Sequence, residues 1–136
     1  MIYLTRIEHF NAAHRLYNEH WDEVKNISIF GKCANQNWHG HNYELHVTVK
    51  GKANPETGFI MNAKELSRLI KEKITDVLDH RNLNVDVPFL KGLQPSTEVL
   101  AKCIWQQLEP SIKECQLHCI KLIETHAIYV EYFGEE

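Results

Sequence analysis

At 136 residues, with 43% hydrophobic and 24% charged side chains, the chain reads as one soluble globular domain over 1-136, long enough to bury a core without staples. A formal charge of -3 offers no basic surface for nucleic acid or an anionic membrane. The amino terminus lacks the apolar run of a signal peptide and no stretch approaches the roughly 20 apolar residues of a spanning helix, so the expected location is cytoplasmic.

Ile2 to His14 is rich in apolar, aromatic and β-branched residues, contains no Gly or Pro, and reads as a long strand with imperfect alternation. It brings His14 to its end, next to Arg15. Arg15 to Lys32 mixes charge, aromatics and Asn and reads as a loop of functional length. From His39 to Lys50, Tyr43, Leu45, Val47 and Val49 alternate with Asn42, Glu44, His46, Thr48 and Lys50, the pattern of a second strand, closed by Gly51 and a turn around Pro55 to Gly58. Asn62 with Glu65 approximates a capping box, and Leu66, Leu69, Ile70, Ile74, Val77 and Leu78 keep helical period, predicting a helix that stops near Leu78 or Asp79. Pro95-Ser96 opens a second helix, with Glu98 in its first turn and an apolar stripe through Leu100, Cys103, Ile104 and Leu108. Leu117 to Thr125 and Ala127 to Phe133 read as two closing strands. The order β-β-α-α-β-β predicts an α+β layer, a four-stranded antiparallel sheet with two helices on one face. The other face then has no cover of its own, which favours self-association.

Chemistry concentrates between Cys33 and Tyr43. His39 and His41 are two apart at the mouth of a strand, so period two puts both imidazoles on one face. With His14 at the end of a neighbouring strand, three neutral imidazoles would leave a divalent ion an open position, the pattern of a catalytic zinc. The alternative is a set of satisfied strand-end histidines; His46 lies off this face. The four cysteines show no Cys-x-x-Cys pair, and Cys103, Cys115 and Cys119 read as small hydrophobes. Cys33 stands in polar company beside Lys32, a setting that suits a reactive thiolate. Asp79-His80 follows a helix and reads either as a C-terminal cap or as a polarising pair. Glu124 is an acid where a hydrophobe would fit, or simply part of an exposed strand face.

Phe10-x-Ala-Ala-His14-Arg-Leu, Gly31-Lys-Cys33, Cys33-x5-His39-Gly-His41-Asn-Tyr, Leu78-Asp79-His80-x-Asn-Leu, Ser96-Thr97-Glu98 and Glu124-Thr125 occur together, and in this combination the chain resembles the 6-pyruvoyltetrahydropterin synthase family, including its 6-carboxytetrahydropterin synthase branch. The resemblance covers nearly the whole chain. It implies His14, His39 and His41 as zinc ligands, Cys33 as catalytic base, Asp79 and His80 as its proton-relay partners, and Glu124 as the anchor of the pterin ring with Thr97 nearby. It also implies the tunnelling fold and a homo-hexamer built as a dimer of trimers.

The substrate implied is 7,8-dihydroneopterin triphosphate, converted to 6-pyruvoyltetrahydropterin with loss of triphosphate. The sister reaction on the same substrate releases acetaldehyde and leaves a 6-carboxy product, a step toward queuosine-type deazapurines. The five-residue gap between Cys33 and His39 resembles the pyruvoyl-forming branch. A zinc- or pterin-binding module without catalysis is the third reading, and Cys33 argues against it. Arg15 and Lys25 read as surface charge, with contact to the triphosphate as the alternative. Two positions depart from the family pattern: Trp38 stands where many synthases have Gly, and Asn62 where Asp often opens the helix.

Overall fold

The computed structural model describes residues 1–135. Its frame is a hairpin of two long strands, β1 (Ile2–His14) and β2 (His39–Gly51), antiparallel from Ile2 opposite Gly51 to His14 opposite His39. β2 continues the sheet through β4 (Gln116–Thr125), which pairs with β5 (Ile128–Tyr132). A two-residue strand, β3 (Arg81–Asn82), runs parallel to β1 on the other edge, giving the order β3-β1-β2-β4-β5.

The alternation on β2 sets the core. Tyr43, Leu45, Val47 and Val49 are fully buried under the helices, and the residues between them stay partly open on the opposite face. Two helical segments cover the inner face. The first begins as α2 (Ala63–Ile70), passes through a π-helical turn over Lys71–Thr75 and ends as α3 (Asp76–Leu78); the second is α4 (Thr97–Leu108). Asn62 caps α2 by accepting the Lys64 N–H at 2.9 Å, and Ser96 caps α4 by accepting that of Val99 at 3.2 Å. Leu66, Ile70, Ile74 and Leu78 from one segment meet Leu100, Ile104 and Leu108 from the other in a single apolar cluster against the sheet. Truncating one such side chain to Ala costs about 2–5 kcal/mol.

Two features depart from the four-stranded antiparallel expectation. The sheet has five strands among the described residues and is mixed, because β3 adds a parallel edge. Two residues are too few to display a period of two, so nothing in the pattern announces this strand. The region expected as a loop contains α1 (Glu23–Phe30), capped by Asp22, whose carboxylate accepts the Lys25 N–H at 2.7 Å. No apolar stripe marks α1, since its buried residue is Asn26. That amide accepts the Asn18 N–H at 2.7 Å and donates to the carbonyls of Asn18 and Asp22, both at 3.0 Å, so polar bonds rather than core burial organise the segment.

Candidate metal centre and active site

The hairpin register assembles the site. Ala12 is opposite His41 and His14 opposite His39, so the three imidazoles project from one end of the sheet on the helix-facing side, beyond the stacked rings of Phe10 and Tyr43. The ring centroids of His14, His39 and His41 are 4.5, 5.1 and 4.9 Å apart, and one ligand atom from each lies within 4.8 Å of the others. His14 is the most buried of the three, and its Nδ1–H donates to the Pro95 carbonyl at 2.7 Å. That bond fixes the ring and leaves the Nε2 lone pair pointing into the cluster, as a carbonyl behind a metal-bound histidine does.

His14 Nε2, His39 Nδ1 and His41 Nε2 are buried and have no hydrogen-bond partner. Leaving one such atom unpaired costs about 1–3 kcal/mol, and three together are rare in a folded protein. Burial, the leading cause, holds all three imidazoles below their ordinary pKa, and neighbouring histidines add to the effect. Neutral, convergent nitrogens of this kind fit a divalent metal with an open coordination position.

Glu124, at the end of β4, brings one carboxylate oxygen within 3.3 Å of His41 Nε2, without hydrogen-bond alignment. Its other oxygen accepts the Thr97 hydroxyl from the first turn of α4. The Tyr43 hydroxyl, also buried and unpartnered, belongs to the same region: burial first, then the negative charges of Glu124 and Cys33, push its pKa well above the usual phenol range. Tyr43, which the sequence placed on the strand and in the His39-Gly-His41-Asn-Tyr motif without a role of its own, lies with its ring 5.6 Å from that of His41. Its signal was a phenol at an inward position two residues after His41.

Cys33 sits in a 3-10 turn, Gly31–Ala34, and is half-buried. Its carbonyl accepts the Leu16 N–H at 2.8 Å, which ties the turn to the chain just past His14. Asp79 and His80 are elsewhere. Asp79 accepts the Asn11 N–H at 2.8 Å and lies 2.9 Å from His80 Nδ1, while the His80 N–H donates to the Asn11 carbonyl at 2.6 Å. These bonds place the pair on the β3 edge, with the His80 side chain 83% exposed, and not in the histidine cluster of the same chain. Asp79 is held below the usual carboxylate range by the Asn11 N–H first and by His80 second. Both His80 and Trp38 adopt left-handed backbone conformations, φ 60 and 66, which bulky side chains rarely take.

The profile of the 6-pyruvoyl tetrahydropterin synthase family matches residues 3–135. The chain belongs to this family. It is 46% identical over 134 residues to a 6-pyruvoyl tetrahydrobiopterin synthase of Dictyostelium discoideum, covering 98% of this chain and 97% of the relative. It is 41% identical to the human 6-pyruvoyl tetrahydrobiopterin synthase over 126 residues, covering 93% and 87%. The structure of the Caenorhabditis elegans 6-pyruvoyl tetrahydropterin synthase superposes with a TM-score of 0.93 at 32% identity, covering 98% and 96%. The backbone of Trp38, at φ 66, is one that a glycine takes without strain.

Proposed function

We propose that the protein is a zinc-dependent lyase that converts 7,8-dihydroneopterin triphosphate to 6-pyruvoyltetrahydropterin with loss of triphosphate. The observation that carries this reading is the convergence of three orphaned imidazole nitrogens beside Glu124, at the end of the sheet to which Cys33 is tied, in a chain 46% identical to a synthase of that name. His14, His39 and His41 would hold the metal, whose contribution is Lewis-acid polarisation of the substrate's side-chain oxygens. Glu124 accepts the paired donors of the pterin's amino-amide edge, and the Thr97 hydroxyl holds that carboxylate in place. Cys33, as thiolate, removes a proton from the side-chain carbon.

Asp79 and His80 shuttle protons for the same reaction. Their place on an exposed edge, apart from the histidine cluster, supports action on the Cys33 of a neighbouring copy. The bare face of the sheet, which exposes Tyr3, Ile7 and Tyr129, supports assembly, and we assign a homo-hexamer of single-domain chains acting in the cytoplasm. No helix among the described residues is long and apolar enough to cross a membrane.

Incubating zinc-loaded protein with dihydroneopterin triphosphate and identifying the products by mass tests the reading. The expected products are 6-pyruvoyltetrahydropterin and triphosphate. Acetaldehyde with a 6-carboxy product would assign the protein to the sister reaction, and no consumption would remove both enzyme readings.

A further inference from the structure

Arg15 directly follows His14, yet it is held in a way that a solvated surface arginine does not need. The Asn84 side chain grips its backbone from both sides, accepting the Arg15 N–H at 2.9 Å and donating to the Arg15 carbonyl at 2.8 Å. Gln94 does the same two residues on, accepting the Tyr17 N–H at 3.2 Å and donating to the Tyr17 carbonyl at 2.6 Å. Between these two amide clamps, Arg15 Nε donates to the Ala34 carbonyl at 3.0 Å and the guanidinium lies 3.9 Å over the Tyr17 ring. The plane and direction of the fork are therefore fixed before any ligand arrives.

Its two terminal nitrogens are not used. Neither makes a hydrogen bond or an ion pair among the described residues, and Arg15 lines a cavity of about 410 Å³ together with Tyr17, Glu23, Asn35 and Gln36. The cavity wall includes Ala34, the residue after Cys33, and Arg15, the residue after His14, so the chain runs from it directly into two segments of the proposed site. A fixed guanidinium with free terminal donors, supported by two side-chain amides, matches the oxygens of a phosphate chain. Glu23 stands on the same wall without pairing to Arg15, and its charge opposes an anion there.

We propose that this cavity is the subsite for the triphosphate tail of the substrate, with Arg15 as the anion-binding residue and Asn84 and Gln94 as its positioning residues. The assignment rests on the lyase reading for the identity of the substrate, but the polyphosphate site itself can be measured separately. A pterin held by Glu124 with its side chain at the histidines projects its tail past the end of β1, where the Cys33 and His14 segments are tied together. Arg15 then neutralises part of the tail's charge and fixes the direction in which the leaving triphosphate departs.

Calorimetry on the zinc-loaded, assembled protein with inorganic triphosphate provides the test, with zinc content checked after each titration. Arg15→Gln should weaken inorganic triphosphate by about tenfold or more, Arg15→Lys should recover part of that loss, and Glu23→Gln should tighten binding. Asn84→Ala should weaken it by a few-fold at about constant charge, because the fork is no longer held. Phosphate-free dihydroneopterin should bind equally to all of these variants, and in turnover Arg15→Gln should raise KM far more than it lowers kcat. Unaltered triphosphate binding in Arg15→Gln, no binding to the parent protein, or an equal loss for the phosphate-free pterin would overturn the proposal. Arg15-dependent triphosphate binding in a protein that does not consume dihydroneopterin triphosphate would leave the subsite standing and remove the lyase reading.

Discussion

The histidine end of the β1–β2 hairpin and the Asp79–His80 edge carry the same kinds of side chain in opposite states. At the hairpin end, three imidazoles are buried or half-buried and each has a nitrogen with no partner. At the edge, the imidazole is exposed and the carboxylate half-buried, and the two residues are bonded to each other and to Asn11. The buried group is incomplete in a way that one ion would complete. The edge pair is locally satisfied and lies apart from the histidine cluster, so the relay proposed for it draws on a neighbouring copy. Burial without partners is thus the more informative state, because the cost of an unpaired buried atom is too large to be accidental three times at one point.

The largest effect that could break this comparison is on metal content. Purified protein should hold about one zinc per chain. His14→Ala should lower zinc affinity by more than about 100-fold, since even the outer partners of a ligand cost 10–100-fold. The same change at His80 should leave metal analysis unaltered, and equal zinc loss in both variants would erase the distinction. Next in size is turnover: Cys33→Ala should bind the pterin almost normally while losing about 10² or more in rate, the scale of a general base. Asp79→Asn with His80→Ala should show the same split. Mixing subunits of the Cys33 and Asp79/His80 variants after co-refolding should restore part of the activity if the edge pair serves a neighbouring copy; no recovery would place it in its own chain's site.

Glu124→Ala should act on binding, weakening the pterin by about 1–3 kcal/mol through an unmet donor pair, as read by titration with a phosphate-free pterin. The smallest effect concerns an acid on the same face of β1 as His14. Burial alone would push Glu8 upward, but the Ser67 hydroxyl at 2.6 Å and Arg6 Nε at 3.1 Å outweigh it, and its pKa lies below the ordinary value of 4.5. A carboxyl depressed in the folded state contributes stability that is present above its unfolded pKa and is lost as pH falls through its folded pKa. Acid unfolding followed by circular dichroism should therefore begin below about pH 4.5 and be shallower in Glu8→Gln. An identical acid limb would show that Glu8 is not among the groups that titrate on unfolding.

Much of this contrast was legible in the chain itself, for physical reasons that differ between the two regions. The Tyr43-Leu45-Val47-Val49 alternation fixed which face of β2 is buried, and His39 and His41 inherited that face by period two. The stripe from Leu66 to Leu78 and the capped start at Ser96 likewise announced their helices. What escaped was held by polar and backbone bonds, which leave no periodic trace. Asn26 organises α1 through its amide, β3 is two residues of backbone pairing, and Asp79, which closes α3 as its C-cap, also accepts the Asn11 N–H with its carboxylate. The left-handed conformations of Trp38 and His80 leave no periodic trace either.

The central claim, that the three orphaned nitrogens are metal ligands around an open position, is tested most directly by X-ray absorption at the zinc edge of the purified, zinc-loaded protein. The account predicts three imidazole nitrogens at about 2.0–2.1 Å with the remaining shell oxygen, and loss of one imidazole contribution in His39→Ala. A sulfur scatterer at about 2.3 Å, or fewer than three imidazoles in the parent protein, would contradict it, because Cys33 would then be a ligand rather than a base or the cluster would not close on the metal.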